Sequence, residues 1–340
     1  MESVNIKKLA QLLNLSISAV SKALRDSHDI SKETKDKVIA LATELNYQPN
    51  PYASSLRKHK SKTIAVIIPE IANNYFALAI NGIESIAQEK NYHVLIYLTH
   101  EDVKKEVALT KYLHGGRVDG VLISVSSTTI DYAHLHQLEK NGLPIVFFDR
   151  VVDAFNTVKV TTDDYESSYL ATKHLIEQGC KKIAHLAMSD NVSIGTKRKK
   201  GYLQALADYQ LPVTESMVLS CTNDDKKDAE IIRNLLQQQR PDGVFAAVEQ
   251  YALGVYGMCR QLNLSIPGDV KVICFSNLKT ASFLHPSLTT ITQPAFDIGK
   301  EAAAILFKAL DKKSFQLKDD NIVIKSVLVK RESTGKMSDV

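Results

Sequence analysis

The first 45 residues carry apolar side chains at the spacing of short amphipathic helices. Behind the candidate N-caps Asn5 and Ser31, apolar residues recur at i, i+3, i+4 and i+7, and a shorter stripe, Val20, Ala23 and Leu24, follows a third candidate cap at Ser16. The connection between the first two helices is very short, and Asn14 in it tolerates a left-handed turn. The pattern therefore predicts a helix-turn-helix whose third helix closes the core.

The outward face of the second predicted helix is polar and basic. Lys22 can donate to guanine N7 and O6, Ser18 to several base edges, and Ile17 can contact a thymine methyl group. Three further side chains of this face would lie nearer the phosphates: Ser16, Ser21 and Arg25. Periodicity alone is equally compatible with a small helical bundle that has a solvated basic face, so both interpretations stay open.

The segment YQPNPYASSLRKHKSK, residues 47–62, predicts a second kind of DNA contact. Asn50 is a candidate N-cap and Pro51 suits the first helical position, but the helix that follows is too short and too polar to be stable alone in water. Small residues with one leucine, Leu56, followed by a basic cluster are typical of a segment that folds when it enters a minor groove. The alternative is a flexible linker.

From Thr63 onwards the pattern changes to strands alternating with helices. Continuous apolar runs that predict buried parallel strands lie at 63–69, 93–98, 119–125, 144–148, 182–188, 242–248 and 270–275. The near-repeat of VDGVLIS and PDGVFAA suggests two similar lobes in tandem. Late segments at 288–293 and 321–333 flank a helix near 295–310 and could cross back between the lobes.

These patterns predict an all-α head followed by an α/β core of two doubly wound parallel-sheet lobes. The predicted divisions are a helix-turn-helix domain at 1–48, a hinge helix and linker at 49–62, and a core at 63–335. Within the core, the predicted first lobe is 63–161 with 290–321, and the predicted second lobe is 162–289 with 322–335.

Ligands of open parallel sheets bind beyond the carboxyl ends of the strands. The loops expected there, at 70–76, 149–153, 189–201, 249–250 and 276–279, supply aromatic, amide and charged groups to a cleft between two lobes. A small polar molecule suits such a cleft. The sequence has no recognisable nucleophile, phosphate-loop, dinucleotide or zinc motif, so we expect neither an enzyme nor a cofactor or metal.

Composition sharpens this picture through the placement of charge. The net charge of the 340 residues is +4, but residues 1–62 hold 11 Lys and Arg against 6 Asp and Glu, so the remainder is close to neutral. A basic end indicates a polyanionic partner. Without a signal peptide or a long apolar run we expect a cytoplasmic protein with no membrane contact, and the widely spaced cysteines indicate buried thiols rather than disulfides.

The stretch NIKKLAQLLNLSISAVSKALRD, continued through LNYQPNPYASSLR, resembles the DNA-binding head and hinge of the lactose repressor family. Later landmarks, TIAVIIPEIANNYF, PIVFFDR, RKKGY, SIPGDVKVICF and PSLTTITQP, resemble that family's periplasmic-binding-protein-like core, so the resemblance covers nearly the whole chain in order. It implies a transcription regulator, most simply a repressor, that binds a pseudo-palindromic operator as a homodimer. A sugar, sugar derivative or other polar effector in the cleft would change the spacing of the hinge helices.

The resemblance also assigns roles to individual positions. It implies that Ile17, Ser18 and Lys22 contact bases and that Leu56 intercalates. The full set of implied DNA contacts is Ser16, Ile17, Ser18, Ala19, Ser21, Lys22, Arg25, Asn50, Ala53, Leu56 and Arg57. It implies that Arg198 binds the ligand's oxygens through two parallel hydrogen bonds. The full set of implied effector contacts is Asn73, Tyr75, Phe76, Asp149, Arg150, Arg198, Glu249 and Ser276.

Three departures from the family pattern bear on the ligand and the operator. Ala19 stands where the family usually has threonine, Ser276 where it commonly has a sugar-binding aspartate, and Glu249 where it has an Asn-Asp pair. These changes argue against a simple neutral sugar. They favour another ligand, anionic given Lys197 and Arg198, or control by a partner protein. A transport solute-binding protein and an enzyme fused to a DNA-binding head are the remaining alternatives.

Overall fold

The computed structural model of the chain describes residues 5–47, 60–113, 115–222, 224–311 and 315–335. The chain divides into two units, Met1–Ser61 and Lys62–Val340. The first unit is all-α and the second is built on two parallel sheets, so the predicted fold class is confirmed.

The described residues of the first unit form three helices, which are α1 Ile6–Leu12, α2 Ile17–Ala23 and α3 Lys32–Glu44. Their predicted caps are confirmed: the side chains of Asn5, Ser16 and Ser31 each accept a hydrogen bond from a backbone amide three residues on. Asn14 has a φ of 53°, the left-handed conformation expected for the turn. The core consists of the predicted apolar stripes, with Leu9, Ala10, Val20, Ala23, Val38 and Ala42 buried.

The first lobe of the second unit is a sheet of six parallel strands within the described residues, in the order β11-β5-β4-β3-β1-β2. These strands are β1 Thr63–Ile68, β2 His93–Leu98, β3 Gly120–Ile123, β4 Ile145–Phe148, β5 Val158–Thr162 and β11 Asp320–Ile324. The helices of this lobe are α4 Asn74–Glu89, α5 Val103–Tyr112, α6 Ala133–Lys140 and α11 Ala295–Asp311. Apolar clusters fill both faces of the sheet, as continuous apolar strands require.

The second lobe has another six-stranded sheet in the described part of the chain, in the order β12-β10-β9-β8-β6-β7. These strands are β6 Ile183–Ala187, β7 Val218–Ser220, β8 Gly243–Ala246, β9 Lys271–Phe275, β10 Thr289–Thr292 and β12 Val327–Val329. Its α-helices are α7 Asp164–Glu177, α8 Ser193–Asp208, α9 Asp225–Asn234 and α10 Glu249–Leu262. A π-helix spans Leu235–Gln239, and 3-10 turns span Glu215–Met217, Lys279–Phe283 and Glu332–Thr334. Only the edge strand β12 is antiparallel to its neighbour.

The chain passes between the lobes after β5, after β10 and after β11. The predicted lobe boundaries at 290 and 322 need correction, because β10 pairs with β9 in the second lobe while β11 pairs with β5 in the first. Residues 290–292 therefore belong to the second lobe and residues 322–324 to the first. A strand stays with the sheet that satisfies its backbone hydrogen bonds, and the sequence pattern does not show which sheet that is.

Two glycines allow α4 and α11 to pack with their backbones in contact. A Cβ atom added at Gly82 would lie 2.0 Å from the carbonyl oxygen of Phe296, and one added at Gly299 would lie 2.0 Å from that of Ala79. This packing fixes the position of α4, whose first turn lies beyond the carboxyl end of β1.

All four cysteines are buried free thiols, as predicted. Burial raises the pKa of the Cys180 and Cys221 thiols to about 12, so they stay protonated and unreactive at neutral pH. Among the described residues, no helix combines the length and the apolar content that a membrane span requires.

Candidate functional site: recognition helix and interlobe cleft

Helix α2 presents its first turn to solvent. Ser16, Ile17 and Ser18 are exposed, and Ile17 keeps 42% of its surface accessible. The Ser16 hydroxyl also caps the helix by accepting a hydrogen bond from the Ala19 amide at 3.1 Å. Exposing a large apolar side chain at a helix start forgoes hydrophobic stabilisation, which contact with a thymine methyl group would restore.

The rest of this face holds two basic groups that already have partners. The Lys22 ammonium pairs with Asp29 at 2.8 Å, and the Arg25 guanidinium donates to the carbonyl and hydroxyl oxygens of Ser21 at 2.9 and 3.1 Å. Ala19, Ser21 and Lys22 are half-buried, and Arg25 is exposed. Sequence reasoning missed Asp29, which lies in the loop after α2. Because both partners of the Lys22–Asp29 pair are about 43% exposed, the pair contributes only about 0–1 kcal/mol, and a guanine or phosphate can replace Asp29.

The predicted minor-groove contacts Asn50, Ala53, Leu56 and Arg57 lie outside the described residues. Their roles remain predictions.

In the second unit, side chains from both lobes converge on one cleft. The space between them, open side included, is about 400 Å³. All the effector positions predicted from the sequence line it: Asn73, Tyr75, Phe76, Asp149, Arg150, Arg198, Glu249 and Ser276. Lining residues that the sequence analysis did not single out are Met188, Ile194, Val248, Phe275, Asn277 and Gln293. Most of them follow a strand's carboxyl end, which is the signal that could have found them.

The first-lobe wall is formed by the start of α4. Asn73 caps this helix, because its side-chain oxygen accepts from the Tyr75 amide at 2.9 Å, and its side-chain nitrogen donates to Glu70 at 3.2 Å. The rings of Tyr75 and Phe76 pack edge to face, with centroids 5.5 Å apart. Burial and the nearby carboxylates of Asp149 and Asp164 raise the pKa of Tyr75 well above its ordinary value, so its phenol remains a hydrogen-bond donor.

Arg198 is buried in the second-lobe wall and is not a free fork. Its Nε donates to Asp164 at 2.8 Å, its Nη1 donates to the Ala247 carbonyl at 2.6 Å, and its guanidinium lies 3.7 Å above the Phe275 ring centre. Burial raises the pKa of Asp164, with Arg198 opposing the shift. Two of the five N–H donors of Arg198 are therefore already used, and the predicted bidentate grip has only the remaining N–H groups of Nη1 and Nη2 available. Asp164 lies two residues beyond the end of β5, and that position was the signal for it.

Arg150 and Asp149 follow β4 in the first lobe. The Nη1 of Arg150 donates to Glu101 at 2.6 Å. Burial alone would raise the pKa of Glu101, but Arg150 and the Ser127 amide outweigh it and lower this pKa. Asp149 has a left-handed φ of 61° and accepts from the Ser124 hydroxyl at 3.2 Å. Burial raises the pKa of Asp149 to about 6, although Arg150 and Arg198 oppose the shift.

Glu249 links the two lobes. It is the first residue of α10, where the helix dipole favours a carboxylate. One of its oxygens accepts from Asn74 of the first lobe at 2.8 Å, and the other accepts from Ser276 of its own lobe at 2.6 Å. Glu249 thus brings a carboxylate to Ser276, the position where the family pattern leads one to expect an aspartate.

Several buried polar atoms around the cleft have no hydrogen-bond partner. These atoms are Tyr75 Oη, Arg150 Nε, Asp164 Oδ2, Asn277 Oδ1 and Gln293 Nε2. An unsatisfied buried polar atom costs free energy, and folded proteins tolerate few of them. Their concentration at one place indicates a site organised to bind a polar molecule.

A helix-turn-helix unit and a two-lobed body with a polar cleft, joined in one chain, define a ligand-controlled DNA-binding regulator. Comparison with known families agrees. Residues 5–50 match the family described as bacterial regulatory proteins, lacI family, and residues 61–332 match periplasmic binding proteins and sugar binding domain of LacI family. The chain belongs to the LacI family, and the resemblance inferred from the sequence is confirmed.

Individual relatives are similar over their whole length. The ribose operon repressor of Halalkalibacterium halodurans is 31% identical over 97% of this chain and 96% of its own, and the regulator RegA of Clostridium saccharobutylicum is 30% identical over 98% and 99%. The lac repressor dimer bound to operator and the anti-inducer ONPF has the same fold, with a TM-score of 0.85 at 22% identity over 98% of this chain and 100% of that one. A LacI family regulator from Enterococcus faecium with bound ribose has a TM-score of 0.70 at 27% identity over 81% and 100%.

Proposed function

We propose that this regulator is a repressor that binds a pseudo-palindromic operator as a homodimer, and that a small polar ligand in the cleft controls this binding. The observation that carries the proposal is the convergence of the predicted effector residues from both lobes on one cleft with unsatisfied buried polar atoms. A ligand that contacts both lobes favours one arrangement of them over another. Such a differential interaction is what an allosteric effector requires.

In the proposed complex, α2 is the recognition helix. Ile17, Ser18 and Lys22 contact base edges, while Ser16, Ala19, Ser21 and Arg25 lie against the backbone. Asn50, Ala53, Leu56 and Arg57 belong to the proposed hinge in 49–62, with Leu56 as the wedge. The ribose operon repressor and the operator-bound lac repressor support this assignment by their likeness to the chain. DNA as the partner implies that the protein acts in the cytoplasm.

The test begins with the full-length protein and a selection of operator sites from genomic fragments. Fluorescence anisotropy then gives the operator Kd with and without each ligand that a thermal-shift screen of sugars, sugar phosphates and purines identifies. Effector and operator must change each other's affinity by the same factor, commonly about 5- to 150-fold. A ligand that fills the cleft and leaves the operator Kd unchanged would refute control by that ligand.

The DNA contact has its own test in Lys22→Ala. We expect the variant to lose discrimination at one operator base pair, by about 1–3 kcal/mol, because a guanine contact is removed. Lys37→Ala is the matched control, since Lys37 is an exposed lysine of α3 that pairs with Glu33. Weakening that is uniform over all operator sequences would instead make Lys22 a phosphate contact.

A second candidate is control by a partner protein. It is favoured by the Asn74–Glu249–Ser276 bridge, which joins the lobes through the chain's own side chains. Stable operator repression that no small molecule alters would support it. We further propose that the cleft performs no catalysis, so a bound ligand should be recovered chemically unchanged after prolonged incubation.

A further inference from the structure

The charged groups of the cleft do not balance. Two guanidinium groups and two carboxylates line it, those of Arg150, Arg198, Asp149 and Glu249. Each guanidinium is already paired with a carboxylate that does not line the cleft: Arg198 with Asp164 at 2.8 Å and Arg150 with Glu101 at 2.6 Å. The local sum is therefore negative, with one acidic side chain left over on each lobe.

Within the described residues, neither of these two acids accepts a hydrogen bond from a cation. The nearest guanidinium nitrogen to Asp149 is Arg150 Nε at 3.9 Å, beyond hydrogen-bond distance. Glu249 is held by neutral donors, the amide of Asn74 and the hydroxyl of Ser276. A carboxylate offers about four acceptor positions, so Glu249 can accept further hydrogen bonds without losing these two.

The remaining unsatisfied atoms describe the rest of the ligand. Among the residues that line the cleft, Arg150 Nε and Gln293 Nε2 are donors, on residues that are only 5% and 7% exposed. Asn277 Oδ1 is an acceptor, and the Tyr75 hydroxyl can be either. A hydroxyl group can both donate and accept, so several hydroxyl groups satisfy such a mixed set. An anion would satisfy the donors but would lie beside two carboxylates that have no hydrogen-bonded cation, and this disfavours it.

We propose that the ligand of this cleft is a polyol that carries a protonated amino group, and that Asp149 and Glu249 hold the ammonium between the two lobes. This inference rests on the proposed function and names the chemical class of its effector. It replaces the anionic ligand that Lys197 and Arg198 suggested in the sequence, because Arg198 is neutralised by Asp164 and Lys197 is not among the residues lining the cleft.

The test compares sugars of one ring configuration that carry a positive, a neutral or a negative substituent. Isothermal titration of the full-length protein uses D-glucosamine, D-glucose, N-acetyl-D-glucosamine and D-glucuronate, and then the corresponding galactose and mannose sets. In at least one set we expect the amine to bind about 10- to 150-fold more tightly than its neutral counterparts, the range of a charge-assisted hydrogen bond. We expect no measurable binding of the uronates.

The substitution Glu249→Gln keeps the side chain's shape and removes its charge. We expect the ratio of the two dissociation constants, neutral sugar over amine of the same set, to fall to about 1 in this variant, because only the amine gains from the charge of Glu249. Glu230→Gln, at an exposed glutamate of α9, is the matched control and should keep the preference. Thermal unfolding of both variants establishes that they are folded.

Four results would overturn the inference: tighter binding of a neutral sugar in every set, tighter binding of a uronate, no binding of any probe, or an amine preference that survives in Glu249→Gln. The operator measurement separates this outcome from failure of the proposed function. If a neutral or anionic ligand changes the operator Kd, the charge inference fails and the proposed function stands. If a bound amine leaves the operator Kd unchanged, the charge inference stands and allosteric control by that ligand fails.

Discussion

Replacing Asp149 by asparagine should stabilise the protein at neutral pH. Asp149 is buried at the cleft with a left-handed φ of 61°, a conformation that asparagine also tolerates, and its oxygen accepts from the Ser124 hydroxyl at 3.2 Å. An asparagine oxygen can accept the same hydrogen bond. The substitution therefore removes the buried charge with little other change.

The magnitude follows from the pKa of this carboxyl group. It is raised from 3.8 to about 6 in the folded protein, chiefly by burial, with Arg150 and Arg198 opposing the shift. Between these two values the folded state binds more protons than the unfolded state, so stability falls as the pH rises from about 4 to about 6. Above pH 6 the full cost, about 3 kcal/mol for a shift of about two pKa units, is present. Below about pH 4 both states are protonated and the cost disappears.

Urea denaturation followed by far-ultraviolet circular dichroism measures this effect, and the chain's lack of tryptophan makes that signal preferable to fluorescence. We expect Asp149→Asn to exceed the parent protein's free energy of unfolding by up to about 3 kcal/mol at pH 7 and to match it near pH 3.5. Asp153→Asn, at an exposed position in the same loop, should change it by less than about 0.5 kcal/mol. A gain below about 1 kcal/mol at pH 7, or a gain that does not depend on pH, would refute the reasoning.

Three further changes test other parts of the structure. Asp164→Ala should lower the free energy of unfolding by about 3–5 kcal/mol, because it leaves Arg198 as a buried unpaired charge. The double variant Asp164→Leu/Arg198→Met should recover most of this loss in urea denaturation, and an equal loss in both variants would contradict the argument. Gly82→Ala should lower the free energy of unfolding by about 1–3 kcal/mol, because the added Cβ would lie 2.0 Å from a backbone oxygen. Gly257→Ala, where nothing lies within 4 Å of the added Cβ, should be neutral or stabilising, and equal effects of the two on Tm would exclude the close packing. Leu56→Ala should reduce the bend of bound operator DNA, measured by resonance energy transfer between its ends, and an unchanged bend would argue against a wedge.

Local features of this fold could be predicted because their causes lie close together in the chain. The caps at Asn5, Ser16 and Ser31 act on amides three residues away, and apolar spacing reports directly on which face of a helix is buried. The cleft positions were predictable for a related reason. Residues that follow parallel strands meet at one edge of the sheet whatever the details of packing.

The pairing of charges in the cleft was not predictable in this way. Arg198 suggested a ligand-binding fork from its position in the chain, yet the charge of its guanidinium is paired with Asp164, and that of Arg150 is paired with Glu101. Similarly, β10 and β11 carry no mark of the lobe to which each belongs.

The sequence by itself determined the helix-turn-helix, the two α/β lobes and the set of residues that meet in the cleft, because hydrophobic spacing, caps and strand ends are local properties. Only the tertiary structure decided which of those residues keep a charge available for a ligand. Asn74 and Glu249 are 175 positions apart, and whether such groups come within 2.8 Å depends on how the two lobes close on each other. The residue types supply the charges of the site, and distances of this kind decide which of them are already paired.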